Sequence, residues 1–292
     1  MNCILTLVSS DSTKPLLSSH LRKVEGCLPV KVIGSHWLSP GKAADLKLLD
    51  RPDRKARIDL ELFLAEDRID FFIVSADHTR QKKLLVADMD NTMVVGETLD
   101  ELAAQCGLKE KIAEITDQAM RGELDFQEAL RTRVAMLADL PEIALQATLD
   151  AIQPMAGAEL LVKTMRQNGA MCVLASGGFS CFTEPVAAKL GFHVSHGNIL
   201  EVSAGRLTGK VSEPILDHQS KLSFLKHYQQ ACELDFSETL AVGDGANDLA
   251  MISGAGLGVG YHPKSYLKER AENNILYGDL TALLYAQGFE KF

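Results

Sequence analysis

The sequence predicts an α/β fold in which a parallel sheet flanked by helices carries a helical insertion and follows a smaller α+β unit. First, short apolar runs alternate with helical patterns after residue 83, an order typical of parallel sheets with helices on both faces. Second, residues 97–153 show helical spacing of apolar residues and no clear strand. Third, strands and helices follow a different order in residues 1–80. We therefore predict one domain at residues 1–80 and a second at residues 81–292.

The elements predicted within residues 1–80 follow the order β-α-β-β-α-β, which is a ferredoxin-like pattern. Leu16, Leu17 and Leu21 lie at helical spacing in the first predicted helix. A charged and polar stretch at residues 77–81 marks the predicted end of this domain. The predicted strands are 3–8, 28–37, 46–49 and 70–74, and the predicted helices are 13–24 and 54–65.

The larger domain begins with an apolar run at residues 83–88, and helical patterns separate each later apolar run from the next. This alternation predicts a Rossmann-like parallel sheet. The insertion at residues 97–153 follows the first strand, so we expect it to cover the C-terminal edge of the sheet as a helical cap that excludes water. The later predicted strands are 171–175, 239–242 and 256–260. The apolar positions at helical spacing in the insertion are Leu102, Cys106, Ile112, Ile115, Ala119, Phe126, Leu130, Val134 and Leu137.

Composition and charge narrow the classes of function. The net charge is −9, with +1 on residues 1–80 and −10 on residues 81–292, where 18 Lys and Arg face 28 Asp and Glu. This acidic body disfavours generic binding to nucleic acid or to a membrane surface, and no apolar run approaches the length that spans a bilayer. The six cysteines form no Cys-x-x-Cys pair, which indicates reduced thiols. We therefore expect a cytoplasmic protein with neither a nucleic-acid nor a membrane partner.

Carboxylates directly follow two of the predicted strands. Asp88 and Asp90 come at the end of the first strand, and Asp244 and Asp248 follow the third. The carboxyl ends of parallel strands meet at one edge of the sheet, where ligands usually bind. Carboxylates held together there repel each other, and Mg²⁺ prefers oxygen ligands of this kind. The spacing therefore predicts a Mg²⁺ site with one carboxylate left for chemistry.

Two further clusters lie beside the predicted strand ends. Ser176 and Gly177 directly follow the second strand, and we expect a helix to begin near residue 180. A loop that leads into a helix N-terminus can bind an anion. Lys221 lies at the start of the helical pattern 221–232 and supplies a cation.

In this order the four clusters resemble the four motifs of the haloacid dehalogenase superfamily of phosphotransferases, and the resemblance implies the haloacid dehalogenase fold. Residues of the insertion are similar to the phosphoserine phosphatase family within that superfamily. The similarity covers roughly residues 83–285. The segments that carry the family resemblance are 97–103, 120–126, 130–134 and 217–221.

The resemblance implies how these residues act on a phosphate ester. Asp88 attacks phosphorus and forms an aspartyl-phosphate. Asp90 protonates the leaving oxygen and then takes a proton from water. Lys221 balances negative charge on Asp88 and the phosphoryl group. Mg²⁺ is held by Asp88 and Asp244, with help from Asp248 and the backbone carbonyl of Asp90.

The resemblance also implies the substrate. Arg133 binds a carboxylate, for which its planar guanidinium is suited, and Glu97 binds an ammonium group. This pair fits a zwitterionic amino acid, so the resemblance implies hydrolysis of O-phospho-L-serine to L-serine and phosphate, the last step of serine biosynthesis. The remaining implied contacts are Ser176 and Gly177 at the phosphate, Asn247 at the phosphate or orienting a neighbour, and Met120 and Phe126 as an apolar wall.

Several alternatives stay open. The chain could be a phosphotransferase of the same superfamily, or a phosphatase for another small phosphate ester. Glu97 and Arg133 could be surface charges, and Met120 and Phe126 could be core residues of the cap. The N-terminal domain resembles amino-acid-binding (ACT-like) modules by its element order alone, so it could bind serine, or it could serve packing or homodimerisation. Mn²⁺ also accepts oxygen ligands.

Overall fold

The computed structural model describes residues 2–10, 13–76, 80–120 and 124–292. Its first six elements follow the predicted β-α-β-β-α-β order. They are β1 (Cys3–Ser9), α1 (Ser18–Cys27), β2 (Val32–Ser39), β3 (Ala43–Leu48), α2 (Arg54–Ala65) and β4 (Ile69–Ser75). The strands lie in the order β2-β3-β1-β4, and each is antiparallel to its neighbours, as in a ferredoxin-like unit.

Two of these elements begin later than predicted. Helix α1 begins at Ser18, after the extended N-cap residue Leu17, and Pro15 accounts for the loss of Lys14 from the predicted helix because it disfavours a helical conformation in the residue before it. Strand β2 begins at Val32, because α1 continues to Cys27 and Pro29 then has no N–H for a strand ladder.

Strands and helices alternate in the rest of the chain, as predicted. The strands are β5 (Leu84–Ala87), β6 (Met171–Phe179), β7 (Val194–Asn198), β8 (Leu200–Ser203), β9 (Arg206–Val211), β10 (Thr239–Gly243), β11 (Leu257–Tyr261) and β12 (Asn273–Ile275). The helices are α3 (Thr98–Ala104), α4 (Lys109–Met120), α5 (Phe126–Ala135), α6 (Ile143–Ala151), α7 (Ala158–Gln167), α8 (Ser180–Leu190), α9 (His218–Ala231), α10 (Leu249–Ser253), α11 (Ser265–Lys268) and α12 (Ala282–Ala286). Among the described residues, no helix has the length and apolar character needed to cross a bilayer.

The central sheet is parallel where it carries the predicted carboxylates. Its strands lie in the order β12-β11-β10-β5-β6-β7. Strands β5 and β10 are neighbours, with Leu84 beside Thr239 and Ala87 beside Val242. Both strands are fully buried, as expected for parallel strands covered on both faces. Their C-terminal ends therefore bring the residues that follow them to the same edge of the sheet.

The insertion is helical, as predicted, and a hairpin that the sequence does not predict supports it. Helices α3 to α6 lie within residues 97–153. The antiparallel pair β8-β9 contacts the end of the insertion. The Asp139 N–H donates to the Leu207 carbonyl at 2.9 Å, and the Leu207 N–H donates to the Leu140 carbonyl at 2.9 Å. The hairpin thus ties the C-terminal half of the insertion to the core.

The N-terminal sheet continues into the parallel sheet. Strand β4 is antiparallel to β12, with Phe71 beside Asn274. Arg80 lies in the stretch predicted as a domain boundary, yet it donates to Asp45 Oδ2 at 2.6 Å and to the Tyr285 carbonyl at 3.2 Å. Residues 77–79 of that stretch lie outside the described residues. Arg80 therefore fastens the N-terminal sheet to the segment near α12.

Candidate active site

Two neighbouring strands end at the same edge and deliver carboxylates there. Asp88 follows the last residue of β5, and Asp244 follows Gly243, the last residue of β10. A Cβ on Gly243 would lie 2.3 Å from Cγ of Asp248. Only glycine therefore leaves room for the Asp248 side chain against the end of this strand.

The carboxylates of Asp88, Asp244 and Asp248 form a buried cluster, and the oxygens that they offer lie within 4.8 Å of one another. Burial, and next the charge of Asp248, raises the pKa of Asp244 to about 7. Burial likewise raises the pKa of Asp88 well above its usual value. Carboxylate oxygens packed in this way fit a hard divalent cation, which would neutralise their repulsion. The cluster therefore has the donor set for a divalent metal.

Lys221 lies in the first turn of α9, beneath the cluster, and is only 3% exposed. Its Nζ lies 2.6 Å from Asp88 Oδ1 and 2.6 Å from Asp248 Oδ1. Burial alone would lower the pKa of Lys221, but the carboxylates of Asp248 and Asp88 raise it above its usual value. The Asp217 side chain caps α9 by accepting from the Gln219 N–H at 2.9 Å. The ammonium is thus a fixed positive charge beside the predicted nucleophile.

Asp90 lies close to this cluster but is not part of it. Its Oδ1 accepts the Thr98 N–H at 2.7 Å, and Asn91 beside it has a left-handed backbone with a φ of 53°, which asparagine tolerates. The turn points the second oxygen elsewhere, since a Cβ on Gly178 would lie 3.1 Å from Asp90 Oδ2. Burial, and next the charge of Glu97, raises the pKa of Asp90 to about 7. This carboxyl group can therefore exchange a proton near neutral pH.

The predicted phosphate-binding residues come from two strand ends. Strand β6 continues through Ser176 and Gly177 to residue 179, further than predicted. The Ser176 hydroxyl accepts the Gly178 N–H at 2.8 Å and can still donate its own hydrogen. The Oδ1 atom of Asn247 is buried and has no hydrogen-bond partner among the described residues. Buried polar groups are normally paired, so a ligand at this point would complete the contacts of Asn247.

Arg133 lies on α5 of the cap and faces inward, with 7% of its surface exposed. Its Nη1 donates to Thr116 Oγ1 at 2.9 Å, and its Nε donates to the Ala129 carbonyl at 3.3 Å. Burial lowers the pKa of Arg133 from its usual value, although Glu97 and Asp100 oppose this effect. Arg133 is therefore a buried, oriented cation and not a surface charge.

The other predicted cap residues lie beside Gly177 of β6 or at the start of the cap. Glu97 Oε1 accepts from Asn91 Nδ2 at 2.7 Å. A Cβ on Gly177 would lie 3.1 Å from Cζ of Phe126, so the Phe126 ring covers the backbone at Gly177. Met120 is the last residue of α4, but its side chain lies outside the described part of the molecule.

Residues of the core and the cap together line a small cavity of about 50 Å³ that is partly open to solvent. This volume is that of about three to five water molecules. The predicted residues Lys221 and Asp248 lie beneath the cavity and do not line it. The predicted site residues that line it are Asp88, Asp90, Glu97, Phe126, Arg133, Ser176, Gly177, Asp244 and Asn247.

Thr116 and Lys264 are among the residues at or beside this site that sequence reasoning missed. Thr116 lines the cavity and orients Arg133; it is a polar residue within the apolar stripe of the predicted insertion. Lys264 Nζ lies 3.5 Å from Asp244 Oδ2 and 3.6 Å from Glu97 Oε1. The sequence feature that could have identified Lys264 is its position shortly after a predicted strand, where a cation can face the same edge of the sheet.

A larger groove of about 1020 Å³ lies between the N-terminal sheet and the core, and it shares no lining residue with the small cavity. Arg51 in this groove is paired with Glu272 at 2.6 Å, and Lys268 is paired with Glu61 at 2.8 Å. These pairs largely cancel the positive charge of the groove. The small cavity, with its converging carboxylates, is therefore the candidate active site.

Comparison with known proteins identifies the family to which the chain is similar. The sequence profile of haloacid dehalogenase-like hydrolases matches residues 85–253. Phosphoserine phosphatase SerB2 of Mycobacterium tuberculosis is 40% identical over 209 residues, which are 72% of this chain and 51% of that protein. The chain thus spans about half the length of this curated relative and of a phosphoserine phosphatase from Streptomyces coelicolor, of which it covers 55%.

Solved structures show the same architecture. A HAD family hydrolase from Salmonella enterica serovar Typhi superposes with a TM-score of 0.84 at 25% identity, over 98% of both chains. A phosphoserine phosphatase structure described as a phospho-aspartyl intermediate analogue superposes with a TM-score of 0.67 at 37% identity. That match covers 70% of this chain and 98% of the other. The first of these matches includes the N-terminal sheet, and the second leaves part of this chain unmatched.

Proposed function

This chain belongs to the haloacid dehalogenase-like hydrolases, and from that premise we propose that it hydrolyses O-phospho-L-serine to L-serine and inorganic phosphate. One observation carries the proposal: Arg133 and Glu97 line the same cavity as Asp88. A guanidinium suits the carboxylate of serine, a carboxylate suits its ammonium group, and Asp88 would face the phosphate. This arrangement fits an amino-acid phosphate ester better than a sugar phosphate.

Asp88 is the proposed nucleophile. One of its oxygens attacks phosphorus, the bond between phosphorus and the serine oxygen breaks, and the phosphoryl group is carried as an aspartyl-phosphate. Lys221 holds Asp88 Oδ1 at 2.6 Å, which fixes the carboxylate and leaves its second oxygen for the attack. The positive charge of Lys221 also offsets the charge of the phosphoryl group.

Asp90 is the proposed general acid and base. With a pKa of about 7, a substantial fraction of Asp90 is protonated at neutral pH and can give its proton to the leaving serine oxygen. The resulting carboxylate then takes a proton from the water that attacks phosphorus and releases phosphate from Asp88. The bond from the Thr98 N–H fixes one oxygen at 2.7 Å, so the other is the atom that exchanges the proton.

We propose Mg²⁺ as the divalent cation of this site. Asp88, Asp244 and Asp248 would hold it, with the backbone carbonyl of Asp90 as a further ligand. When bound, it supplies positive charge between the Asp88 carboxylate and the phosphoryl group. The buried carboxylate cluster supports this assignment, and Mn²⁺ is the alternative with the same ligand chemistry.

The Ser176 hydroxyl and the Gly177 backbone N–H are proposed to bind the phosphoryl oxygens, and Asn247 either joins them or orients a neighbour. The Ser176 hydroxyl and the Gly177 N–H lie beside the cavity at the end of β6. Asn247 lies opposite, after β10, and its amide would either bind phosphate or orient a neighbour. The unpaired Oδ1 of Asn247 is an acceptor and could receive a hydrogen bond from a donor on the ligand or on a neighbour, whereas contact with a phosphoryl oxygen would need Nδ2 of Asn247 to donate.

We further propose that residues 97–153 act as a cap on a phosphatase domain of residues 81–292, and that residues 1–80 are a separate domain. The small volume of the cavity supports a cap that opens to admit substrate and closes before reaction. Serine binding or homodimerisation through the N-terminal domain, Met120 and Phe126 as the apolar wall, and a cytoplasmic location stay predictions.

A panel of phosphate esters tests this function. Phosphate release with Mg²⁺ should be fastest for L-phosphoserine, and slower for phosphothreonine, phosphoethanolamine and sugar phosphates. Addition of homoserine as an acceptor separates hydrolysis from transfer, because hydrolysis releases one phosphate for each serine whether or not homoserine is present. Equal rates across the panel would contradict the roles of Glu97 and Arg133, and phosphohomoserine formation would favour a phosphotransferase.

A further inference from the structure

Lys264 is a third cation of the active site, and its place there is not explained by the proposed mechanism. It lies between β11 and α11, and its ammonium lies 3.5 Å from Asp244 Oδ2 and 3.6 Å from Glu97 Oε1. Its backbone N–H also donates to the Asp244 carbonyl at 2.9 Å. The side chain therefore joins one carboxylate of the metal cluster to the carboxylate that starts the cap.

Both carboxylates have another proposed partner that is also a cation. Asp244 belongs to the cluster that fits a divalent metal, and Glu97 is the proposed partner of the substrate ammonium. Lys264 is 40% exposed and lies within 4 Å of both groups, so it can move aside. In the site without ligands, Lys264 neutralises two carboxylates that would otherwise repel each other.

The backbone beside Lys264 is also held through His262, which is hydrogen-bonded to the segment after β12. His262 has a left-handed backbone with a φ of 40°. Its N–H donates to the Ile275 carbonyl at 2.8 Å, and its Nε2 donates to the Gly278 carbonyl at 2.9 Å. The segment that follows β12 therefore fixes the backbone position from which the Lys264 side chain extends.

That segment is held in turn by Asp70 of β4, which is 3% exposed. Its Oδ1 accepts the Leu276 N–H at 2.8 Å, and its Oδ2 accepts the Gly278 N–H at 2.7 Å. The Tyr277 N–H also donates to Oδ1, at 3.2 Å. A Cβ on Gly278 would lie 2.9 Å from Asp70 Oδ2, so glycine permits this close approach. A single carboxylate of the N-terminal sheet thus orders three successive backbone groups of the core.

We propose that Lys264 is a positioning residue, a resident counter-ion that Asp244 and Glu97 share until the divalent cation and the substrate ammonium displace it. Through Asp70 and His262, the N-terminal sheet fixes where this counter-ion lies and so sets how tightly the site binds both incoming cations. The part that concerns the ammonium rests on the proposed function, whereas the part that concerns the metal does not.

Calorimetric titration of the metal-free full-length protein with Mg²⁺ tests the counter-ion. Lys264→Met removes the charge and keeps most of the side-chain length, so the Kd for Mg²⁺ should fall about tenfold because a like charge near Asp244 is gone. Lys264→Arg keeps the charge and should stay close to the wild-type affinity. An unchanged Kd in Lys264→Met would overturn the role of Lys264, whatever substrate the enzyme uses.

The link to the N-terminal sheet has its own matched pair of variants. Asp70→Asn should loosen the segment after β12 and with it the backbone of Lys264, so the counter-ion is held less closely at Asp244. Mg²⁺ binding should then tighten by about threefold, which is within the range by which substitutions between coupled sites change affinity. Asp45→Asn is the control, because Asp45 is also a carboxylate of this sheet, but it contacts Arg80 and not the segment after β12. Equal effects of the two variants would overturn the link. If Asp70→Asn does not fold, His262→Asn replaces it, since asparagine tolerates the left-handed backbone but is too short to reach Gly278.

A second readout concerns the substrate ammonium. In Lys264→Met, the KM for phosphoserine should fall relative to that for the same ester without its amino group, while kcat changes less. If the ratio of the two KM values equals that of the wild type, the proposed role of Lys264 at Glu97 is overturned. Absence of phosphoserine turnover in the wild type, together with the expected shift in Mg²⁺ affinity, would contradict the proposed function and leave the counter-ion role supported.

Discussion

Replacement of Lys221 by methionine is the most informative test of the buried charges, because the structure fixes both the sign and the size of its effect. Lys221 Nζ lies 2.6 Å from the carboxylates of both Asp88 and Asp248, and the ammonium is 3% exposed. Methionine fills much of the same volume without the charge. Two buried carboxylates then lose their shared cation, a loss that typically costs about 3–5 kcal/mol.

This cost converts into a measurable change of melting temperature. For 292 residues that unfold in one transition, the expected decrease in Tm is about 5–8 °C. Lys226→Met is the control, since Lys226 lies on the same helix with an exposed side chain. Circular dichroism during heating gives the Tm of the metal-free wild type and of both variants.

The dependence on pH separates lost charge from lost packing. The folded-state pKa of Asp244 is raised to about 7, and that of Asp88 is also raised. Groups with raised pKa values contribute stability that is present at low pH and is lost as pH rises through the folded-state pKa. Without Lys221 the pKa of Asp88 rises further, so the deficit of Lys221→Met should be large near about pH 8 and small near about pH 5.

Added Mg²⁺ should reduce the deficit at the higher pH, because it stabilises both folded proteins and should bind more tightly to the variant, whose carboxylates have lost the competing cation. An equal deficit at both pH values would indicate lost packing and would refute the account of the buried charges. A deficit no larger than that of Lys226→Met would refute it as well.

Four further predictions concern specificity, proton transfer and the cap. Arg133→Ala should lower kcat/KM for phosphoserine by about 30-fold or more and leave that for phosphoethanolamine, which lacks the carboxylate, nearly unchanged. In initial-rate assays, Thr116→Val should raise KM for phosphoserine but not for phosphoethanolamine, and Thr116→Ser should restore the wild-type KM. An equal rise in KM for phosphoethanolamine would contradict the orienting role of Thr116. Since the pKa of Asp90 is raised to about 7, rapid-quench kinetics should show formation of the phosphorylated enzyme slowing as pH rises through 7 and its hydrolysis slowing as pH falls; steps insensitive to pH would exclude Asp90 as the acid. Phosphoserine with Mg²⁺ should protect residues 97–153 from protease, and equal cleavage with and without ligand would argue against cap closure.

The sequence predicted the strands that carry the site because parallel strands buried on both faces leave continuous apolar runs. Strands β5, β6, β10 and β11 have such runs, and the residues after two of them form the carboxylate cluster. Strand β7, with the sequence Val-Ser-His-Gly-Asn, lies at the end of the sheet with most of its residues half-buried. It has no apolar run, so the pattern could not reveal it.

The contacts of polar residues across long sequence distances were not predictable. Arg80 and Asp70 look like surface charges in the sequence, yet Asp70 accepts hydrogen bonds from residues more than 200 positions away. For the same reason, the positions of Thr116 and Lys264 at the site could not be predicted from the sequence. Whether such a residue faces solvent or a partner depends on which elements pack together, and no local pattern records that. The family resemblance supplied Glu97 and Arg133, which spacing alone could not have distinguished from exposed charges.

The most direct test of the central claim is to find the phosphoryl group on the protein. The enzyme is mixed with L-phosphoserine and Mg²⁺, quenched in acid within the first turnover, and digested for mass spectrometry, with Asp88→Asn treated in parallel. The account predicts a phosphoryl group on Asp88, formed together with an equal amount of serine and absent from Asp88→Asn. A phosphoryl group on another residue, or serine release by Asp88→Asn at the wild-type rate, would contradict it.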